Sequence, residues 1–420
     1  MHLRLLYRLF VWLYPKAVWL LSFYNPKASL WVAGRKQQFR KLHDRFHKND
    51  RPVVWMHCSS LGEFEQGKPL LEAIRKNHPN YFILLTFFSP SGYEVRKNDP
   101  VADHICYLPM DRPYTANQFL NIVQPSLVLF VKYEFWFYYL NEIKERNIPL
   151  LLVSGIFRES QTFFKWYGGF YRRMLHCFTH LFVQNESSLL LLKRIGITTN
   201  VSISGDSRFD RVIQIASHVE SIEWIKDFCG DYPVIIAGST WTEDDEALDH
   251  FANHHPNLRF IIAPHDIDED RLKECDKLYT HSIRYSMLNI SKQIPDNTNV
   301  LILDNVGMLS KMYHYATIAY IGGGFGDDGI HNTLEAAVFY KPIVFGPVYD
   351  KYFEAVELID REGAFSIDDA LELEEQFNAL LNDKQLLQKT GHNAGEYVRE
   401  KAGACDKIMH YIQANRLLTN

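Results

Sequence analysis

Carboxylates, hydroxyls, imidazoles and glycines recur in this chain just after short apolar runs, where a backbone turn can present them to a ligand. The first place is His57-Cys58-Ser59-Ser60-Leu61-Gly62-Glu63, where Ser60 and Gly62 let the backbone turn closely and Glu63 falls near the start of a helical segment. A carboxylate there is either a general base, if burial raises its pKa, or a first-turn acid favoured by the helix dipole. Tyr133-Glu134-Phe135-Trp136 puts another acid just beyond a second apolar run.

A third place is Gly322-Gly323-Gly324-Phe325-Gly326-Asp327-Asp328-Gly329-Ile330-His331-Asn332-Thr333-Leu334-Glu335. Five glycines follow an apolar strand, and the pattern predicts a helix beginning near His331. Exposed backbone N–H groups and the helix dipole could then hold a phosphate. Glu335, one turn in, is either a hydrogen-bond acceptor for a ribose or a solvent-facing helical acid. Ser239 and Thr240 follow another strand, as ligand contacts or as caps for the acidic segment Glu243-Asp244-Asp245-Glu246. His265 ends the next strand in Ala263-Pro264-His265-Asp266. The spacing matches no Gly-x-x-x-x-Gly-Lys-Ser/Thr loop, no His-Glu-x-x-His metal site and no Gly-x-Ser-x-Gly nucleophile elbow.

These groups need a scaffold, and the apolar runs define it. Val53 to His57, Tyr81 to Phe87, Leu127 to Val131, Pro149 to Val153 and Leu181 to Val183 read as strands separated by amphipathic helices. The alternation restarts with Pro233 to Ala237, Arg259 to Ala263, Asn299 to Leu303, Ile318 to Ile321 and Pro342 to Phe345. Strands alternating with helices imply parallel sheets covered on both faces, here two in tandem, with ligands at their C-terminal strand ends and in the cleft between them. The expected division is a terminal segment over 1–48, a first domain over 49–210, a linker over 211–232, a second domain over 233–368 and helices over 369–420 that pack back on the first.

Composition narrows the class. The chain has 420 residues, 47% apolar and 23% charged, with a net charge of -5. This excludes a disordered or multi-span membrane chain and argues against a nucleic-acid binder. Six cysteines are too few for a disulfide framework and read as reduced and cytosolic. The total conceals an asymmetry: residues 1–48 carry ten Lys/Arg against one Asp, a balance of +9 that leaves -14 elsewhere. The same stretch is rich in Leu, Trp, Tyr and Phe, but Arg4, Arg8, Pro15 and Lys16 cut the apolar material into pieces too short to span a bilayer. A segment lying on an anionic membrane surface fits better than a span or a cleaved signal; an ordinary packed terminal helix is the alternative.

The ordered set Ser60-Leu61-Gly62-Glu63, Ser91-Gly92-Tyr93-Glu94, Glu134-Phe135-Trp136, Gly205-Asp206-Ser207-Arg208-Phe209-Asp210, Gly238-Ser239-Thr240, His331-Asn332-Thr333-Leu334-Glu335 and Phe345-Gly346-Pro347 resembles the 3-deoxy-D-manno-octulosonic acid (Kdo) transferases of lipopolysaccharide synthesis. The resemblance implies a GT-B fold of two Rossmann-like domains, a CMP-Kdo donor, a lipid A precursor acceptor, inversion at the anomeric carbon and no metal in the protein site. It implies a place on the cytoplasmic face of a bacterial inner membrane. It makes Glu63 the general base, with Ser239, Thr240, His265, Gly324, Gly329, His331, Asn332 and Glu335 on the nucleotide side, and Ser60, Gly62, Glu134, Arg158 and Arg208 in supporting or anion-binding roles. A UDP-sugar transferase or nucleotide-sugar epimerase of the same fold is the alternative. Three positions depart from the family pattern. Lys132 stands where the family has an acid, Gly155 where it has Arg, with Arg158 nearby, and Pro264 where it has Arg, with Arg271 able to approach from the next helix.

Overall fold

The computed structural model describes residues 2–419, which divide into two compact units: 2–211 with 402–419, and Val212–Lys401. Among the described residues each unit is built on one seven-stranded parallel sheet.

In the first unit the strands are β1 (Val53–Cys58), β2 (Phe82–Phe87), β3 (His104–Tyr107), β4 (Pro125–Val131), β5 (Leu150–Gly155), β6 (His180–Val183) and β7 (Val201–Ile203), in the order β3-β2-β1-β4-β5-β6-β7. Continuous apolar runs demand burial on both faces. Accordingly Val53 and Trp55 join one apolar cluster with Phe119 and Phe130, while Val54 and Met56 join another with Leu70 and Leu71. The Ala404–Ala414 helix adds Ile408, Met409 and Ile412 to the second cluster. The sheet order reverses direction between β1 and β4. The connections after these two strands therefore diverge and leave a crevice at their C-terminal ends.

The second unit contains β8 (Val234–Thr240), β9 (Arg259–Pro264), β10 (Ser282–Arg284), β11 (Val300–Ile302), β12 (Ile318–Ile321), β13 (Ile343–Phe345) and β14 (Ala364–Ser366), ordered β10-β11-β9-β8-β12-β13-β14. Its reversal lies between β8 and β12, the strands that carry Ser239-Thr240 and the glycine loop. The expected linker over 211–232 holds a helix, Glu223–Cys229, that belongs to this unit. The helical tail over 369–420 divides at Lys401: its helices Ala370–Asn382 and Lys384–Lys401 belong to the second unit, and the remainder to the first.

The N-terminal stretch forms helices His2–Leu21, Pro26–Gly34 and Gln38–Phe46. Val11 and Val18 of the first are buried, and its Tyr7 hydroxyl donates to the buried Asp111 carboxylate. This helix therefore packs on its unit, yet Leu6, Trp12 and Leu20 remain 60%, 51% and 59% exposed. Among the described residues no helix is long and apolar enough to cross a membrane.

Candidate active site

The reversal between β1 and β4 brings together two acids far apart in the chain. Glu63 sits in the first turn of the Leu61–Asn77 helix, which starts just after β1. Its Oε2 accepts from the backbone N–H groups of Ser59 and Ser60, so the first-turn role is realised. Both bonds fall on one oxygen, leaving Oε1 without a hydrogen bond to the described residues. Burial, and then the charge of Glu134, push the Glu63 carboxyl up to about 8. The base and capping readings thus coexist in one residue, because the cap fixes the carboxylate while burial raises its proton affinity.

Glu134 lies three residues beyond β4 and is itself buried. Its Oε2 is 2.8 Å from Nε2 of His57, a fully buried residue of β1. His57 Nδ1 lies 2.9 Å from Thr86 Oγ1 and 3.1 Å from Thr86 O. Trp136 Nε1 also donates to Glu134. This chain of β2, β1 and the β4 loop fixes Glu134 firmly. Sequence reasoning quoted His57 without giving it this role, and only the pairing of β1 with both neighbours supplies it.

Positive charge acts on Glu63 and on the neighbouring Tyr133. Lys132 opposes the rise in the Glu63 pKa. Arg158 and Arg208 act in the same direction on the Tyr133 hydroxyl, which burial pushes up and Glu63 raises further. Arg208 also donates from Nε to Asp206 over 2.8 Å. Gly155 ends β5 in a packed position, where an added Cβ would lie 2.7 Å from Leu152 Cδ2. Ser60 precedes the Glu63 helix, and a Cβ added at Gly62 meets nothing within 4 Å, so the helix surface at Gly62 is open. An open cavity of about 580 Å³ adjoins Glu134, lined by Tyr133, Trp136, Phe163 and, from the N-terminal helix, Tyr7 and Phe10.

In the second unit, β8 ends with Ser239 in the left-handed region (φ 57°) and with buried Thr240. Gly324 packs so closely that an added Cβ would lie 2.6 Å from the Gly346 nitrogen. Gly329 adopts φ 84°, and a Cβ there would lie 2.6 Å from Val348 O. His265 stacks on Trp241 with ring centroids 4.6 Å apart and on His331 at 4.5 Å. Trp241 Nε1 donates to His331 Nε2 over 3.2 Å, which places the proton of the neutral ring on Nδ1, and burial lowers the His331 pKa. Asn332 Nδ2 donates to Glu335 Oε1 over 3.0 Å.

Two expectations need correction. The helix after the glycine loop is the single turn Leu334–Ala337, not one beginning at His331. The His331 N–H instead bonds back to Gly322 O, and Asn332 Oδ1 accepts from Leu334 N, holding both residues in the loop. Arg271 does not substitute for an arginine at Pro264: its guanidinium pairs with buried Asp245 and with Glu274. Sequence reasoning also missed Asp244. This buried acid accepts from Trp241 N, Gly323 N and the Tyr320 hydroxyl at 2.7–2.8 Å, tying the end of β8 to β12 and the glycine loop. Nothing in the run Glu243 to Glu246 marks it out, since the selection is made by which carboxylate faces β12. Among the described residues no group of His, Cys, Asp and Glu is placed to hold a metal ion.

Two doubly wound units, one carrying an acid pair and the other a glycine loop at the sheet reversal, define the two-domain GT-B class. The fold matches that of the UDP-GlcNAc 2-epimerase from Neisseria meningitidis with a TM-score of 0.61 at 16% identity, over 86% of this chain and 100% of that one. Residues 34–211 match the model of the family described as 3-deoxy-D-manno-octulosonic-acid transferase (kdotransferase). A 3-deoxy-D-manno-octulosonic acid transferase of Haemophilus influenzae is 25% identical over 375 residues, 86% of each chain. A bifunctional glycosyltransferase/methyltransferase of Fusobacterium nucleatum is 28% identical over 80% of this chain, which spans 53% of that protein's length. These matches make the chain similar to the Kdo transferases over most of its length, with the family model confined to the first unit.

Proposed function

We propose that this protein transfers Kdo from CMP-Kdo to a lipid A precursor at the cytoplasmic face of a bacterial inner membrane, with inversion at the anomeric carbon and Glu63 as general base. The observation that carries this reading is the Glu63 carboxyl, held by two backbone N–H groups and pushed up to about 8 beside Glu134. A hydroxyl is a poor nucleophile until a positioned carboxylate takes its proton as the new bond forms. In the proposed step the acceptor oxygen bonds to the anomeric carbon, its proton passes to Glu63, and the bond to the CMP phosphate breaks, with its electron pair leaving on the phosphate. Lys132, Arg158 and Arg208 suit an acidic sugar and a phosphorylated acceptor. The glycine loop, Ser239, Thr240, His265 and His331 form the nucleotide side, and Asn332 orients Glu335 toward the ribose.

The open cavity beside Glu134 suits the apolar part of the acceptor. The exposed apolar side chains of the His2–Leu21 helix, with the basic residues that follow, support attachment to an anionic membrane surface. The reading calls for no metal held by the protein and no nucleic-acid partner. The test is incubation with a tetraacylated lipid A precursor and freshly generated CMP-Kdo, with and without excess chelator. Product from the wild type in both conditions, and none from Glu63→Ala, is the expected result. Absence of product from the wild type, or undiminished product from the variant, refutes the reading. Turnover of a UDP-sugar instead favours the other GT-B chemistries.

A further inference from the structure

A second cavity, of about 510 Å³, shares no lining residue with the one beside Glu134. It lies among the three N-terminal helices and the segment leading into the Pro113–Val123 helix. Its walls combine two chemistries. Trp19, Trp31, Phe39 and Met110 are among the apolar residues, and Arg35, Lys36, Arg40 and Arg112 bring four cations with no Asp or Glu in the lining.

The cations lack their usual partners. Among the described residues none of the four forms an ion pair with a carboxylate within 4.0 Å. Arg35 is packed over the Trp31 ring at 3.8 Å and donates to Phe88 O and Trp31 O, so it meets aromatic faces and two carbonyls but no anion. Burial in this setting pulls its pKa down to about 9. Nε of Arg35, Nε of Arg112 and Nε1 of Trp31 are buried donors without a hydrogen-bond partner. Buried guanidinium groups are ordinarily paired, because an unmatched charge or donor is costly to bury. These three unmatched donors belong to residues that line the cavity, and with the exposed Lys36 and Arg40 they give it a positive charge that no carboxylate of the lining offsets.

We infer that this cavity binds the phosphodiester headgroup of an anionic phospholipid of the membrane, with its acyl chains along the exposed apolar face of the N-terminal helix. A phospholipid fits better than free phosphate because the wall is mostly apolar and because Trp19, at the rim, is 52% exposed on the helix whose Leu20 and Leu21 also face outward. The inference rests on the membrane-surface part of the proposed function and adds a discrete site to it. It differs from diffuse attraction to the basic N-terminus, which would not distinguish one lysine from another.

The test compares two charge-matched variants of the full chain, all four altered residues being solvent-exposed. Lys36→Gln/Arg40→Gln removes two cations from the cavity, and Lys27→Gln/Lys41→Gln removes two outside it. Binding is measured on vesicles of phosphatidylcholine with 30% phosphatidylglycerol, with soluble dihexanoyl phosphatidylglycerol or inorganic phosphate as competitor at equal concentration. The cavity variant is expected to lose at least tenfold in affinity and the outer variant less than threefold, with competition by the short-chain lipid alone. Equal losses in the two variants, retention of affinity by the cavity variant, competition by phosphate as strong as by the lipid, or no vesicle binding by the wild type each overturn the inference. Kdo transfer in detergent micelles, measured on the same wild-type preparation, tests the chemical reading separately, because it requires no phospholipid site.

Discussion

If Glu63 is the base, the pH dependence of transfer follows from its environment. Moving a carboxyl from its ordinary 4.5 to about 8 corresponds to roughly 5 kcal/mol favouring the protonated form, with burial the larger cause and Glu134 the next. Only the carboxylate accepts a proton, so activity rises with pH. With a pKa of about 8 the carboxylate fraction is about 1% at pH 6, about 10% at pH 7 and about half at pH 8. The kcat/KM for acceptor, which at saturating donor reports the enzyme–donor complex, is therefore expected to rise about fifty-fold between pH 6 and 8 if the Glu63 pKa is the same in that complex. Glu134→Gln keeps the side-chain size and an oxygen for Trp136 while deleting the charge. It should move the acid limb to lower pH, though not down to 4.5, because burial remains. The assay is the initial rate at subsaturating acceptor and saturating donor, at constant ionic strength. A wild-type profile that is flat from pH 6 to 8, or a limb that stays in place in Glu134→Gln, refutes the reasoning.

The same carboxyl affects stability, since a folded-state pKa above the unfolded value makes stability fall as pH rises from about 4.5 to 8. Glu63→Gln is therefore expected to match the wild type in Tm near pH 4.5 and to exceed it at pH 8, and thermal unfolding at the two pH values checks the sign. Asp244→Ala strands three donors, two of them buried; a stability loss of about 3 kcal/mol and a raised KM for donor, with the acceptor KM unchanged, are expected from denaturant unfolding and steady-state kinetics. Gly324→Ala forces a Cβ against the Gly346 backbone and should lower both Tm and donor affinity, whereas Gly62→Ala, in open space within a helix, should leave Tm unchanged or slightly raised. Tyr7→Phe removes the acceptor for Phe137 N–H and one donor to Asp111; a measurable fall in Tm would confirm that the N-terminal helix is bound into its unit.

Much of the fold is legible because buried parallel strands read as continuous apolar runs. The strands that the pattern did not reveal are β3, β7, β10 and β14, and each is the edge strand of its sheet. They are three or four residues long and partly exposed, so no apolar run announces them. The reading of Arg271 failed for a related reason: reach along a helix can be counted, but Asp245 and Glu274 claim the guanidinium only through packing.

The sequence by itself determined two tandem parallel α/β units, the loops that carry their polar groups, the basic aromatic N-terminus and, through ordered motifs, the resemblance to the Kdo transferases. Those are properties of local pattern and spacing. Tertiary structure decided which of two readings applied where the pattern allowed both. The N-terminal helix buries Val11 and Val18 while leaving Leu6 and Trp12 outside, so it packs on its unit and still presents an apolar face. Glu63 caps a helix and also stands beside Glu134, because β1 and β4 are neighbours at the reversal of the sheet order. Its raised pKa comes from burial and from a second charge brought near by the fold, and neither is encoded in the residues adjacent to it in the chain.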